Sequence, residues 1–229
     1  MLGVIGGTVF FKKKFFGKFR DFPVNTKFGT ATVKKSESIV FLPRHGILSD
    51  TPPHKVNHKA HILGLKQLGV RKVIGINSCG SLKKEIEPGK IIVPDDYICL
   101  AKQETLFDMQ IEHITPALSQ AMRIKMLEAA KKLNIELVDG GVYMQTTGPR
   151  LETKAEVRMF SQFADVIGMT MASEAMLCQE MGLEYGAICS VDNFAHGLSE
   201  SVPSHSQIVE MASRNADKMW QIVEEIAKE

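Results

Sequence analysis

Two hydrophobic rhythms alternate along the chain. Short runs of consecutive apolar residues end on glycine, proline or small polar residues, and between them lie longer stretches where apolar residues recur at helical spacing. The first pattern predicts buried strands and the second predicts amphipathic helices. The strands expected are "LGVIGG", the pair "ATVKK" and "SIVFLPRHG", "RKVIGINSCG", "GKIIVPDDYI" broken by Pro94, "VDGGVYMQTTG", "DVIGMT" and "YGAICSVDN". The helices expected are "NHKAHILGLKQLG" stopping at Gly69, "ALSQAMRIKMLEAAKKLN", "TKAEVRMFSQF", "ASEAMLCQEMG" stopping at Gly182, and the closing "HSQIVEMASRNADKMWQIVEEIAKE". Strand and helix in alternation predict an α/β layered fold, a mixed, mostly parallel sheet flanked by helices. With no repeat, linker or low-complexity stretch, one domain over 1–229 is expected.

Composition narrows the partners. Of the 229 residues, 44% are hydrophobic and 24% charged, the balance of a soluble globular protein. The net charge of +2 gives no field that would gather nucleic acid or a membrane surface, and the basic clusters Lys12-Lys13-Lys14 and Lys131-Lys132 read as solvated faces. The opening "LGVIGGT" reads as a strand, not a targeting segment, and no window approaches the roughly 18 apolar residues of a membrane helix. Cys79, Cys99, Cys178 and Cys189 form no C-x-x-C pair, so neither a zinc site nor a disulfide framework is indicated; they read as buried thiols of a cytoplasmic protein. No metal-ligand cluster or cofactor is expected.

The ends of the strands carry the chemistry. "GVIGGT" ends in glycines whose amides can approach an oxyanion, with the Thr8 hydroxyl beside them. "LPRHG" sets Arg44, a bidentate phosphate holder, next to His45. "INSCGSL" offers Asn77 and Ser78, and "GMTMASE" offers Thr170. Each also has a plain reading as a turn, a surface pair or a helix cap. Their recurrence at successive strand ends points to one anion pocket rimmed by Thr8, Arg44, His45, Ser78 and Thr170. The glycine spacing of "GVIGGT" is not that of a dinucleotide fingerprint. "YGAICSVDNFAHG" ends an apolar strand on two poor strand formers, Asp192 and Asn193; they serve a turn or read a ligand at the strand's end.

Taken in order, "GVIGGT", "RHG", "PPHKVNHKAHI", "NSCGSL", "EPGKIIVPDDYI", "GPRLETKAE", "DVIGMT" and "SVDNFAHG" resemble the methylthioadenosine phosphorylase branch of the purine nucleoside phosphorylase family, over nearly the whole chain. The resemblance implies a single-domain nucleoside phosphorylase fold, commonly a homotrimer or dimer of trimers, that cleaves a purine nucleoside with inorganic phosphate as co-substrate. It implies that Thr8, Arg44, His45, Ser78 and Thr170 hold phosphate and that Met169 packs under the ribose. The base would lie between the turn at Asn77, Cys79 and Gly80 and the strand end at Asp192 and Asn193. Asn193 and His45 are the catalytic candidates. His205 would reach a 5′-hydroxyl, and His113, in a "QETLFDMQIEHITPA" segment shorter than in relatives, a neighbouring subunit's site.

Methylthioadenosine-cleaving members resemble one another in ending the last strand with Thr-Asp-Tyr-Asp. Members that cleave inosine and guanosine carry an Asn at the comparable place and a Glu in the Gly-Pro segment. Here Asn193 and Glu152 take those positions. A 6-oxopurine presents an N1–H donor for Glu152 and an O6 acceptor for the Asn193 amide. The pattern therefore predicts a 6-oxopurine nucleoside phosphorylase. A helix-start acid is the competing role for Glu152, and a one-residue slip that put Asp192 in the pocket would restore an adenine reading. Ile208 and Val209 keep S-methyl-5′-thioinosine open as substrate. A nucleosidase and a non-catalytic nucleoside-binding protein remain the other classes.

Overall fold

A computed structural model of the chain describes residues 1–7, 10, 14–199 and 205–229, excepting the side chains of 14, 205 and 207. The first strand, β1 (Leu2–Gly6), is buried at every position: strands pair with both of its edges and the sheet is covered on both faces. It runs parallel to β4 (Ile39–Pro43), in register Leu2 with Ile39, and to β5 (Lys72–Ser81), in register Leu2 with Lys72. Beyond β4 the sheet turns antiparallel through β3 (Gly29–Lys35) to the outer strand β2 (Arg20–Thr26). The predicted pair "ATVKK" and "SIVFLPRHG" is β3 with β4.

On the other side β5 divides the sheet. One edge pairs along its length with β11 (Glu184–Phe194), in parallel. Its other edge is shared. β1 occupies it as far as Ile76, and β10 (Val166–Gly168) takes it up, antiparallel, at Gly80 and Ser81. Among the described residues no strand pairs with 77–79 on this edge, and β1 and β10 point at each other across the gap. From β10 the sheet continues parallel through β9 (Val142–Gln145) to β7 (Asp96–Cys99), while β11 leads to β6 (Ile91–Val93) and β8 (Val138–Asp139). The "GKIIVPDDYI" run thus becomes two strands with different partners, divided at Pro94, which has no N–H to donate to a ladder. Among the described residues this is an 11-stranded sheet.

Helices cover both faces. α1 (His58–Gln67) and α4 (Met171–Glu180) pack together on one side; α2 (Gln120–Lys132) and α5 (His205–Ile226) pack on the other. Asn57 caps α1 and Ser119 caps α2, each accepting an orphan N–H in the first turn. In α5, Ala212, Ala216, Met219, Trp220, Val223 and Ile226 are buried at helical spacing. Trp220 anchors this layer: Phe15 stacks on it at 5.1 Å, and Phe10, Phe16, Phe19 and Phe41 surround it. Phe10, Phe15, Phe16 and Phe19 therefore bind the N-terminal segment to the closing helix. α3 (Lys154–Phe160) buries Val157 and Phe160 in a smaller cluster with Met144 and Ile167. Among the described residues no helix is long and apolar enough to cross a membrane.

Candidate functional site

The gap in the β5 edge opens into a cavity of about 510 Å³. Its wall takes Gly7 from the end of β1, Arg44 and His45 after β4, and Asn77, Ser78, Cys79 and Gly80 from β5. Met169 and Thr170 follow β10, Glu152 precedes α3, Ser190 and Asn193 come from β11, and Ile208, Val209 and Ala212 from α5. Most of the residues singled out in the sequence therefore surround one space. Thr8 lies outside the described residues, as does the side chain of His205. His113 is exposed and lies outside this chain's own cavity lining.

At one end of the cavity the polar groups are bound to each other. Arg44, 2% exposed, directs Nε and Nη2 to the carboxylate of Glu174 on α4, which is 1% exposed. Its Nη1 donates to the Ile76 carbonyl at 2.9 Å and its Nη2 approaches the Ile5 carbonyl at 3.3 Å. The guanidinium fork expected to grip an anion is thus engaged with Glu174, while Nη1 lies toward Gly7, 3.8 Å from where a Cβ on that residue would sit, and both residues line the cavity. Burial disfavours the Arg44 charge, but Glu174 holds its pKa above the ordinary value. Tyr185 adds a hydrogen bond to Glu174 at 2.8 Å. That reach requires Gly75, because a Cβ there would lie 1.8 Å from the tyrosine oxygen. Glu174 carried no expected role; its signal in the sequence was an acid inside the apolar "ASEAMLCQE" helix, which demands a buried partner.

The neighbouring groups are similarly held. Asn77, with its amide oxygen toward Thr170, accepts from the Thr170 hydroxyl and from Arg44 Nη2, both at 3.1 Å. Thr170 is also the N-cap of α4, so the positive end of that helix faces the gap. His45 Nδ1 lies 2.9 Å from the Thr51 carbonyl, which can only accept, so Nδ1 carries the proton. Burial first, and Arg44 second, lower the His45 pKa to about 4. The neutral ring then presents Nε2 as an acceptor. Behind it, burial also lowers His61 to about 4 and His58 well below its usual value.

The other end keeps free hydrogen-bonding capacity. Glu152 is 8% exposed; Thr146 donates to its Oε1 at 2.7 Å, and among the described residues its Oε2 has no hydrogen bond. The helix-start role belongs instead to Glu156, which completes a capping box with Thr153 and pairs with Arg150. Asn193 lines the cavity, donating one amide hydrogen to the Phe194 carbonyl at 2.8 Å. Gly80 leaves room for it: a Cβ there would lie 3.2 Å from Asn193 Nδ2. Gly148, at φ 66°, lets the Gly-Pro segment close on Met169, since a Cβ there would lie 2.4 Å from the Met169 sulfur.

Asp192, also expected in the base-binding set, does not line the cavity. β11 pairs Val191 with Cys79 and then Asn193 with Gly80, so Asp192 is the extra residue of a β-bulge. It is 4% exposed and absent from the cavity wall, and it accepts from the hydroxyls of Ser78 and Ser190. Simple alternation along a strand could not foresee this, because the bulge resets which side each residue faces.

Comparison with known proteins agrees with this architecture. The phosphorylase superfamily profile matches residues 2–228. The chain belongs to that family. It is 40% identical over 233 residues to a probable 6-oxopurine nucleoside phosphorylase of Archaeoglobus fulgidus, covering 100% of this chain and 96% of that protein. It is 35% identical over 232 residues to a probable S-methyl-5′-thioinosine phosphorylase of Methanocaldococcus jannaschii, covering 98% and 91%. The methylthioadenosine phosphorylase of Schistosoma mansoni, solved with adenine, shares the fold, with a TM-score of 0.91 at 24% identity over 99% of this chain and 90% of that one. The chain is accordingly a nucleoside phosphorylase, a pentosyltransferase that acts on a nucleoside and phosphate.

Proposed function

We propose that the chain cleaves 6-oxopurine nucleosides, inosine and guanosine, with inorganic phosphate, giving the free base and ribose 1-phosphate for purine salvage. The observation that supports this is the joint presence of Glu152 and Asn193 on one cavity wall with Asp192 turned out of it. Glu152 Oε2 accepts from the base N1–H. The second Asn193 amide hydrogen is donated to O6, and its oxygen accepts from N7 as that atom takes a proton from solvent water. Adenine reverses the pattern at positions 1 and 6, and each mismatched buried partner costs roughly 1–3 kcal/mol.

Phosphate lies at the self-bonded end, on the amides after β1, Arg44 Nη1, Thr8, Ser78, Thr170 and the α4 N-terminus. It is the nucleophile at C1′ and stabilises the positive charge that develops on the ribose over Met169. His45, neutral with Nε2 bare, accepts the hydrogen of a monohydrogen phosphate. As the N9–C1′ bond breaks, its electrons go to the purine, and Asn193 stabilises that charge through N7.

S-methyl-5′-thioinosine is the second reading. The apolar wall of Ile208, Val209 and Ala212 favours it, being suited to a methylthio group; His205 favours a plain hydroxyl. The chain is further assigned to the cytoplasm as a homotrimer or dimer of trimers, with Met109 and Ile111, exposed and close to His113 in sequence, offering apolar surface. Base release from inosine and methylthioinosine, each with and without phosphate, tests the function. Phosphate-dependent release supports it, and equal release without phosphate makes the protein a nucleosidase.

A further inference from the structure

We propose that Asp192 is a positioning residue for phosphate: its carboxylate directs the hydroxyls of Ser78 and Ser190, and its protonation turns the Ser78 hydroxyl hydrogen into the cavity. The proposal rests on the assignment of Ser78 to phosphate.

The hydrogen-bond inventory carries the argument. Ser78 is the one exposed residue of β5, and it is exposed into the cavity. A serine has a single hydroxyl hydrogen, and that of Ser78 goes to Asp192 Oδ2. Ser190 donates to Oδ1 of the same carboxylate. Ser190 in turn accepts from Asn215 Nδ2 of α5 at 2.8 Å, so its orientation is fixed from both sides. Among the described residues, the Ser78 hydroxyl is held by Asp192 alone. While Asp192 is ionised it can only accept, and Ser78 can donate nothing to an anion. Once protonated, Asp192 donates its own hydrogen to Ser78, keeps accepting from Ser190, and the Ser78 hydrogen is free for a phosphate oxygen. The same protonation removes a negative charge from behind the phosphate.

The surroundings suit such a change. Burial raises the Asp192 pKa to about 7, and the two hydroxyls oppose the rise. On the elements packed against β11, Cys79 of β5 is a thiol kept neutral by burial, and Glu174 of α4 is paired with Arg44. Arg123 of α2 is paired with Asp139, and Lys90, preceding β6, with Glu136. α5 contributes Asn215. The ion that arrives is itself an anion, and it favours the protonated acid.

The test is the phosphate KM at saturating inosine, measured from pH 6 to pH 8.5 for the native protein, Asp192→Asn and Ser78→Ala. The amide of Asp192→Asn donates to Ser78 and accepts from Ser190 at every pH. The ratio of native to Asp192→Asn phosphate KM is expected near one at pH 6 and about tenfold by pH 8, since apparent affinity falls with the competent fraction. The ionisation of phosphate is common to both proteins and divides out. The inosine KM should not change. A ratio flat with pH overturns the proposal, as does an effect of Asp192→Asn on the inosine KM alone. If Ser78→Ala leaves the phosphate KM unchanged, the assignment of Ser78 itself fails. A raised KM in Ser78→Ala with a flat native-to-Asp192→Asn ratio refutes only the role of Asp192. Should Asp192→Asn fold poorly, calorimetry of phosphate binding in two buffers replaces it: proton uptake near pH 7.5 larger in the native protein than in Ser78→Ala supports the proposal, and equal uptake overturns it.

Discussion

The two ends of the cavity are built on opposite terms. At the end assigned to phosphate, Arg44, Glu174, Tyr185, Asn77 and Thr170 satisfy one another before any ligand arrives. At the end assigned to the base, Glu152 Oε2 and one Asn193 amide hydrogen have no described partner. A self-bonded buried network fixes geometry, and its loss costs stability as well as function. Free donors and acceptors cost little to exchange, so a change of substrate is accessible at the base end without dismantling the anion end.

The largest effect is expected from breaking the anion end. Glu174→Ala leaves the Arg44 charge buried and unpaired, a change worth about 3–5 kcal/mol of stability. Gly75→Ala should approach the same loss, because its Cβ displaces Tyr185 from Glu174. Chemical denaturation of both variants measures this. By contrast, Asn193→Asp and Glu152→Gln should fold with near-native stability. Each should lower inosine kcat/KM by roughly 10- to 100-fold, one or two mismatched hydrogen bonds at about 1.4 kcal/mol per decade, and Asn193→Asp should raise adenosine cleavage.

A smaller effect separates the ends by pH. His45 and His61 titrate at about 4 in the folded protein against 6.5 unfolded, and His58 is lowered further. Between those values the unfolded chain binds more protons, so their contribution is complete above pH 6.5 and is lost as pH falls toward 4. Asp192 has the opposite sign: raised from 3.8 to about 7, its contribution is present below pH 3.8 and is lost as pH rises through 7. Melting temperatures should therefore fall on acidification below pH 6.5, less steeply in His61→Asn. Asp192→Asn should remove the opposing slope between pH 4 and pH 7. The smallest effect is expected at the α5 wall. Ile208→Ala should lower the preference for methylthioinosine over inosine several-fold, at ~0.8 kcal/mol per buried methylene, and equal losses on both substrates would separate that wall from the 5′ group.

What was legible in the sequence followed burial. β1, β5 and β11 carry near-continuous apolar runs because the sheet is covered on both faces, and the same runs end on residues that line the cavity. β2 left no such trace: Arg20–Thr26 holds Pro23 and is mostly exposed, as an outer strand must be. Glu152 and Asn193 were readable as a pair by resemblance. Asp192 was not separable from Asn193, because a single inserted residue in β11 decides which of them meets the cavity. The engagement of Arg44 was hidden for a different reason: its partner lies 130 residues away, and an arginine beside a histidine looks the same whether it faces a phosphate or a carboxylate.

If Glu152 and Asn193 read a 6-oxopurine, kcat/KM at saturating phosphate should show it, for inosine and guanosine against adenosine and for methylthioinosine against methylthioadenosine. The 6-oxo member of each comparison should be favoured by at least about tenfold, one mismatched buried hydrogen bond. Preference for the adenine substrates would contradict it, and would mean that the two side chains facing the cavity do not set the choice of base.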